Sequence, residues 1–169
     1  MSNDVKAFVR LDELEMESFN EGTIYESSDG GIADALGLTK IGAAYTIVPP
    51  GKTACPFHVH HAEDEMFILL KGSGEYRFGA ERHQVKAGDV LGAPVGGPEF
   101  AHQLFNTGDE PLVYIGISNK ADTDVVQYPD TGKIMSMSRR QGHQQFGHRH
   151  MTFEDAKVGY FAGDPNVKE

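Results

Sequence analysis

Residues 51–72 read GKTACPFHVHHAEDEMFILLKG, and this stretch decides the fold. A short run, CPFHVH, ends in the polar turn HAED, and an apolar run, EMFILL, follows it. Short β-rich runs separated by turn residues predict two strands joined by a tight reversal. His58 and His60 are two residues apart on the first predicted strand, so their side chains leave the same face.

Glu65 begins the returning strand, directly after the turn that follows the two histidines. This arrangement can bring one carboxylate and two imidazoles to a single point. A divalent metal requires nitrogen and oxygen donors of this kind, at about 2.0–2.2 Å. A second stretch, GDVLGAPVGGPEFAHQLFN at 88–106, brings His102 into a later strand as a possible third imidazole. The two stretches together predict a metal site.

The same rhythm extends on both sides, from Lys40 to about Tyr128. It predicts an all-β sandwich or barrel with mainly antiparallel pairing. In EMFILL both alternating faces are apolar, so we expect that strand to lie between two layers. The predicted strands are 41–48, 55–60, 65–70, 74–78, 82–86, 89–93, 101–106, 112–118 and 124–128.

Length and charge narrow the function classes. The chain has 169 residues, which suits one domain, and its net charge is 15 − 25 = −10. That acidity makes a broad phosphate-binding face for nucleic acid improbable, and no apolar run is long enough to span a membrane. The start, MSNDVKAFVR, shows no apolar signal region, and Cys55 is the single cysteine. We therefore expect a cytoplasmic protein with no nucleic-acid or membrane partner.

The two ends of the chain differ from its middle. We expect an N-terminal extension over 1–36, a barrel domain over 37–128 and a C-terminal extension over 129–169. Spacing of Phe8, Leu11 and Leu14 predicts one short amphipathic helix, and the acidic run that overlaps it predicts a solvated face. The C-terminal part predicts a segment that wraps the barrel or is partly disordered. Because such a barrel exposes sheet edges, we expect a homodimer in which the extensions cover them.

The two histidine-containing stretches resemble the two sequence motifs of the cupin superfamily. This resemblance covers about residues 40–118, with one extra residue between Gly51 and His58 and five residues between Gly96 and His102 where the usual pattern has two. It implies a double-stranded β-helix, or jelly-roll barrel, with one metal inside. The implied ligands are His58, His60, Glu65 and His102, and the implied structural positions are Gly72, Gly88 and Asn106.

Three further segments, at 37–51, 63–75 and 121–134, resemble small single-domain cupins described as sugar-phosphate-isomerase-like. This narrower likeness implies a small sugar or sugar phosphate as the substrate.

The other histidines and the cysteine have plainer interpretations. We expect His61 to be solvated and His83 to lie on an outer strand without a partner in the sequence. The tail histidines His143, His148 and His150 lack a framing glutamate, so we expect adventitious metal binding there at most. Cys55 is interpreted as a small strand or turn residue because no cationic cluster near it would activate the thiol.

Three function classes remain open. One divalent ion (Zn, Fe, Mn, Ni or Cu) could serve as a Lewis acid in an isomerase or epimerase, or as a redox centre in a dioxygenase. The third class is a non-catalytic small-molecule binding protein, and we favour the isomerase narrowly. Candidate groups for proton transfer are Tyr45, Glu63, Glu99 and Tyr114, and candidate cations for a phosphate are Lys52 and Arg77.

Overall fold

Antiparallel strands form nearly all of the regular structure in the computed structural model, which describes residues 5–139 and 146–166. The described helices are short: α1 is Ile32–Ala35, and two 3-10 turns cover Leu11–Glu13 and Pro98–Phe100. The strands are β1 Met16–Glu21, β2 Tyr25–Gly31, β3 Ile41–Val48, β4 Val59–His60, β5 Glu65–Lys71, β6 Ser73–Phe78, β7 Glu81–Lys86, β8 Val90–Ala93, β9 His102–Phe105, β10 Leu112–Asn119, β11 Thr123–Tyr128, β12 Lys133–Arg139 and β13 Phe146–Phe153.

The strands are arranged in sheets that together make a jelly-roll barrel, the double-stranded β-helix. One sheet has six strands in the order β1-β2-β3-β10-β5-β8. A second has the order β13-β12-β11-β4, and a third has the order β7-β6-β9. The second and third sheets are joined by a bridge between His58 and His102, whose backbones exchange hydrogen bonds of 3.1 and 2.7 Å. They therefore continue one another opposite the six-stranded sheet.

The barrel interior is filled by side chains that alternate inward along each strand. Val48, Leu69 and Leu112 are fully buried there, and Tyr76, Leu91, Leu104 and Tyr114 pack in the same core cluster. Burying apolar side chains in this way supplies the main stabilisation of the fold. The rigid core holds the polar residues at its border in fixed positions.

Two of the implied structural positions close the connections between strands. Gly72 has φ +81°, and a Cβ there would lie 2.6 Å from the carbonyl oxygen of Pro111, so only glycine fits. Asn106 is fully buried, and its side-chain amide donates to the carbonyl oxygens of Val48 at 2.8 Å and Glu110 at 2.9 Å. Both residues are structural, as the resemblance implied.

The nine strands expected from the sequence are all present, and the first of them, 41–48, has the predicted bounds. The expected strand 55–60 is reduced to Val59–His60. The prediction of an N-terminal amphipathic helix was wrong: only the turn Leu11–Glu13 is helical, and β1 and β2 follow it. These strands add to the edge of the six-stranded sheet, so pairing with β3 overrides a weak local periodicity.

The C-terminal region is also more regular than predicted. β11 pairs with β12 over its whole length, and β13 pairs with β12. This region therefore extends a barrel sheet. Within the described ranges, no helix has the length and apolar character that a membrane crossing would need.

Candidate metal centre

Four side chains converge on one point at the border of the core. Oε2 of Glu65 lies 3.7 Å from Nε2 of His58, 3.5 Å from Nε2 of His60 and 3.0 Å from Nε2 of His102. Strand β5 carries the carboxylate, whereas the histidines come from the β4 segment and β9 of the opposite layer. The structure thus brings together all four residues that the sequence predicted as ligands.

Hydrogen bonds fix the orientation of two of the imidazoles. Nδ1 of His58 donates to the carbonyl oxygen of Pro56 at 2.8 Å, and Nδ1 of His60 donates to Oδ2 of Asp124 at 2.5 Å. With the proton on Nδ1, each Nε2 presents a lone pair to the centre of the cluster. An acceptor that holds the far nitrogen of a histidine in this way is the usual outer shell of a metal ligand.

The donor set fits a divalent cation. Oε2 of Glu65 and Nε2 of His102 are buried and have no hydrogen-bond partner, although they lie 3.0 Å apart. A carboxylate oxygen and imidazole lone pairs that face one another repel, and burying them unpaired is costly. A positive ion among them removes both costs. Nitrogen and carboxylate ligands of this kind suit Zn and the redox metals of the first row.

The electrostatics of the cluster agree with this arrangement. Burial would raise the pKa of Glu65, but the neighbouring imidazoles of His102, His58 and His60 hold it far below its ordinary value, so the group is a carboxylate. Burial lowers the pKa of His102, which keeps that imidazole neutral. Burial also opposes the charge on His58, yet its neighbours Cys55 and Glu65 raise the pKa of His58 well above 6.5. A proton on His58 therefore competes with a metal.

Asp124 is the residue of the site that the sequence analysis missed. It lies on β11, its side chain has no exposed surface, and its Oδ1 accepts from the backbone N–H groups of His61, Ala62 and Val125. These bonds fix the carboxylate against His60. The sequence did contain a signal for Asp124. It is an aspartate in the β-branched run DVVQY, two residues before Val126 and therefore on the same strand face as that apolar residue.

Glu63 is held by an ion pair behind the cluster. Its Oε1 accepts from Nη1 of Arg139 at 2.5 Å and from the backbone N–H of Ala121 at 3.0 Å. A Glu63 oxygen also lies within 4.8 Å of ligand atoms of His60 and Asp124. The side chain is therefore positioned on the outer side of His60.

The other three candidates for proton transfer occupy different surroundings. Tyr114 is buried in the barrel, and Phe67 contacts both it and His102, with ring centroids 5.8 and 5.6 Å away. Tyr45 lies on the face of β3 opposite to the buried Thr46. Glu99 is exposed on the turn Pro98–Phe100. The structure does not bring Tyr45 or Glu99 to the cluster.

Both cations that we predicted for a phosphate group are paired elsewhere. Nζ of Lys52 lies 3.4 Å from Oε2 of Glu26 and donates to the Thr23 carbonyl oxygen at 2.9 Å. The guanidinium of Arg77 makes two hydrogen bonds to Asp130 and stacks 3.4 Å from the Phe57 ring centroid. Arg77 also holds the pKa of Asp130 below its ordinary value. These contacts correct the assignment, because each positive charge already has a protein partner.

The remaining histidines that the structure describes are exposed. His61 is solvated as predicted, and His83 has a partner after all, since its Nε2 lies 3.2 Å from Oε2 of Glu81. His148 and His150 lie side by side on β13 with ring centroids 6.4 Å apart, whereas His143 lies outside the described residues. Cys55 occupies a bend, and its thiol borders the imidazole of His58.

Comparisons with known proteins agree with this fold. Residues 44–118 match the family described as Cupin domain. An uncharacterized protein from Methanocaldococcus jannaschii is 30% identical over 88 residues, which are 50% of this chain and 67% of that protein. The chain belongs to the cupin superfamily.

Sugar-phosphate enzymes occur among its relatives. Glucose-6-phosphate isomerase from Pyrococcus abyssi is 33% identical over 86 residues, and the match covers 44% of each protein, less than half of the enzyme's length. The structure of a proposed sugar phosphate isomerase from Acidithiobacillus ferrooxidans has a TM-score of 0.72 and 26% identity, over 88% of this chain and 91% of that one. A sugar phosphate isomerase from Silicibacter pomeroyi, at 21% identity and TM-score 0.75 over 88% and 93%, supports the fold.

Proposed function

We propose that this cupin is a metal-dependent isomerase or epimerase of a small sugar phosphate. The observation that carries the proposal is the convergence of three Nε2 atoms on one carboxylate oxygen, at 3.0–3.7 Å, inside the barrel. The likeness to the proposed isomerase from A. ferrooxidans, which extends over 91% of that chain, supports the choice of substrate class.

His58, His60, Glu65 and His102 would hold one divalent ion. When bound, the ion would polarise a substrate carbonyl and stabilise the negative charge of an enediolate. Asp124 positions His60, and the carbonyl of Pro56 positions His58. Because the ligands come from both layers of the barrel, the protein fixes where the substrate oxygen must lie.

Tyr114 is the candidate best placed to supply a proton. Burial raises the pKa of Tyr114 well above 10, so the phenol stays protonated at neutral pH. It can therefore donate a proton or a hydrogen bond, but it cannot serve as the base. Phe67 separates its ring from His102, which places it one side chain away from the ligands.

Metal analysis is the experiment that tests the site. Protein purified without a polyhistidine column should contain about one divalent ion per chain, and His58→Ala and His102→Ala should lose it. His83→Ala is the matched control, because that exposed histidine pairs only with Glu81 among the described residues. Full metal content in both ligand variants would contradict the proposed site and point to the tail histidines.

Turnover then distinguishes the function classes. An isomerase should interconvert aldose and ketose phosphates without oxygen and lose activity on chelation. The same ligands suit iron, manganese or copper, so a dioxygenase would instead consume oxygen. A binding protein would retain affinity for the sugar without converting it. A cytoplasmic location and a small-molecule partner remain parts of the same proposal.

A further inference from the structure

The four-stranded sheet carries polar groups beside the metal ligands that the proposed mechanism does not use. On β11, Val126 lies opposite His60 of β4 and opposite Met135 of β12, so these side chains share the inward face. Lys133 on β12 is opposite Tyr128 on the same face. On β13, Arg149 is opposite Met137 and so lies on the same face of the sheet, where its side chain is exposed. We call Tyr128, Lys133 and Arg149 the basic cluster.

The two cations of the basic cluster differ from seven of the eleven other lysine and arginine residues that the structure describes. Seven described lysine and arginine side chains have a carboxylate partner, namely Arg10, Lys52, Lys71, Arg77, Arg82, Lys120 and Arg139. Among the described residues, neither Lys133 nor Arg149 forms an ion pair. In a chain with a net charge of −10, they put two positive charges on the face of the sheet that carries His60 and Met135.

The side chain of Arg149 leans along the sheet toward the metal centre. Its Nε lies 2.9 Å from Sδ of Met135. On β12, Met135 is two residues from Met137, which is the residue paired with Arg149. Tyr128 packs against the buried cluster of Val126, Met135 and Met137, so Arg149 and Tyr128 border the same cluster. The Tyr128 ring in turn stacks on His58 with centroids 6.1 Å apart. Contacts through Met135 and Tyr128 thus connect the Arg149 side chain to the metal ligand His58.

We propose that Arg149 and Lys133, with the Tyr128 hydroxyl, form the subsite for the phosphate group of the substrate. This inference rests on the proposed function and names the anchor of its substrate. A guanidinium can bind two phosphate oxygens at once, an ammonium adds a second positive charge, and a phenol donates one hydrogen bond. A substrate anchored here would direct its sugar past Tyr128 toward the metal centre.

The test measures binding of inorganic phosphate, glucose 6-phosphate and glucose to the full chain by calorimetry. Arg149→Gln and Lys133→Gln should each weaken the binding of both phosphate compounds about tenfold, while the affinity for glucose stays unchanged. Arg149→Lys should weaken phosphate binding less than Arg149→Gln does, because lysine keeps the positive charge but lacks the paired N–H donors of the guanidinium. Arg10→Gln and Lys86→Gln, which remove exposed charges elsewhere, are the matched controls. Each variant is also checked for its melting temperature and metal content.

Two results would overturn the subsite. One is a wild-type protein that binds neither phosphate compound, and the other is wild-type phosphate affinity in both Gln variants. Failure of the function is a separate result: phosphate binding that depends on Arg149 and Lys133, without turnover of any aldose or ketose phosphate, supports the subsite and contradicts the isomerase. Turnover with an unchanged KM in both variants contradicts the subsite alone.

Discussion

Nδ1 of His60 lies 2.5 Å from Oδ2 of Asp124, a carboxylate whose side chain is fully buried although 64 residues separate the two in the chain. The contact fixes the tautomer of His60, so its other nitrogen faces Glu65. It also ties β4 to β11, whose backbones pair at the same place. A polar residue outside the predicted ligand set thus controls one of the ligands.

Asp124→Asn should weaken metal binding by about 10–100-fold, because an amide orients the imidazole and fixes its tautomer less well than the carboxylate. Competition with a chromophoric chelator measures the change. Asp130→Asn is the control, since that exposed carboxylate pairs with Arg77 and does not contact the cluster. Equal affinities in Asp124→Asn and the wild type would contradict an outer-shell role.

Metal-free and metal-loaded protein should respond oppositely to pH. Without metal, the raised pKa of His58 means that the folded protein holds a proton that the unfolded chain releases near pH 6.5. The stability that this His58 proton contributes is fully present below about pH 6.5 and is lost as the pH rises through the raised pKa of His58. A bound metal needs the neutral imidazole of His58, so the stability that the metal contributes increases over the same pH range.

Melting temperatures recorded with a chelator and with added metal, from about pH 6 to 9, test this difference. His58→Ala should remove the contribution of His58 from the metal-free curve. A metal-free protein that becomes more stable as the pH rises through this range would disprove the prediction.

Tyr114→Phe should lower turnover by about 10–100-fold, because it removes the proton but keeps the ring. Metal content should not change, since the phenol is not among the ligands. Steady-state kinetics with the best sugar phosphate measure the effect, and Tyr160→Phe in the exposed tail is the control. A larger loss in Tyr45→Phe than in Tyr114→Phe would reverse the assignment.

Asn106→Ala should destabilise the fold by about 3 kcal/mol without affecting metal content. The substitution leaves the carbonyl oxygens of Val48 and Glu110 and the N–H of Gly108 without their partner. Urea unfolding measures the free energy. Asn20→Ala on exposed β1 should change it by less than about 0.5 kcal/mol, and a similarly small change for Asn106→Ala would refute the structural role.

The homodimer remains a prediction, and the structure suggests where to test it. β13 is an edge strand, and the side chains of Met151 and Phe153 on it are 46% and 54% exposed. A second copy could cover them. Light scattering should give a dimer mass that Phe153→Glu reduces, whereas Val90→Glu on β8 should not. A wild-type monomer mass at every concentration would exclude the dimer.

The barrel strands and three of the four converging residues were predictable because their signals are local. His102 was predicted from the second stretch and the cupin resemblance, because it is distant in the chain from the other three. His58 and His60 share a face through strand alternation, and Glu65 follows a short turn. Asp124 was not predictable as their neighbour, because the pairing of β11 with β4 joins distant segments. The strand MESFNE, β1, lacks a clear apolar face and forms by pairing with β2, which itself pairs with β3. The segment is therefore a strand because of its pairing with β2, and not because of its local sequence pattern.

Glu65 belongs to the six-stranded sheet, whereas the three histidines belong to the layer facing it. An ion held by all four would cross-link the two layers at the border of the apolar core that otherwise joins them. Withdrawing it should therefore loosen one end of the barrel, with faster amide exchange along β4 and the start of β5 than around Leu69 and Leu112. The four ligand residues would thus determine both the chemistry of the site and the rigidity of β4 and the start of β5.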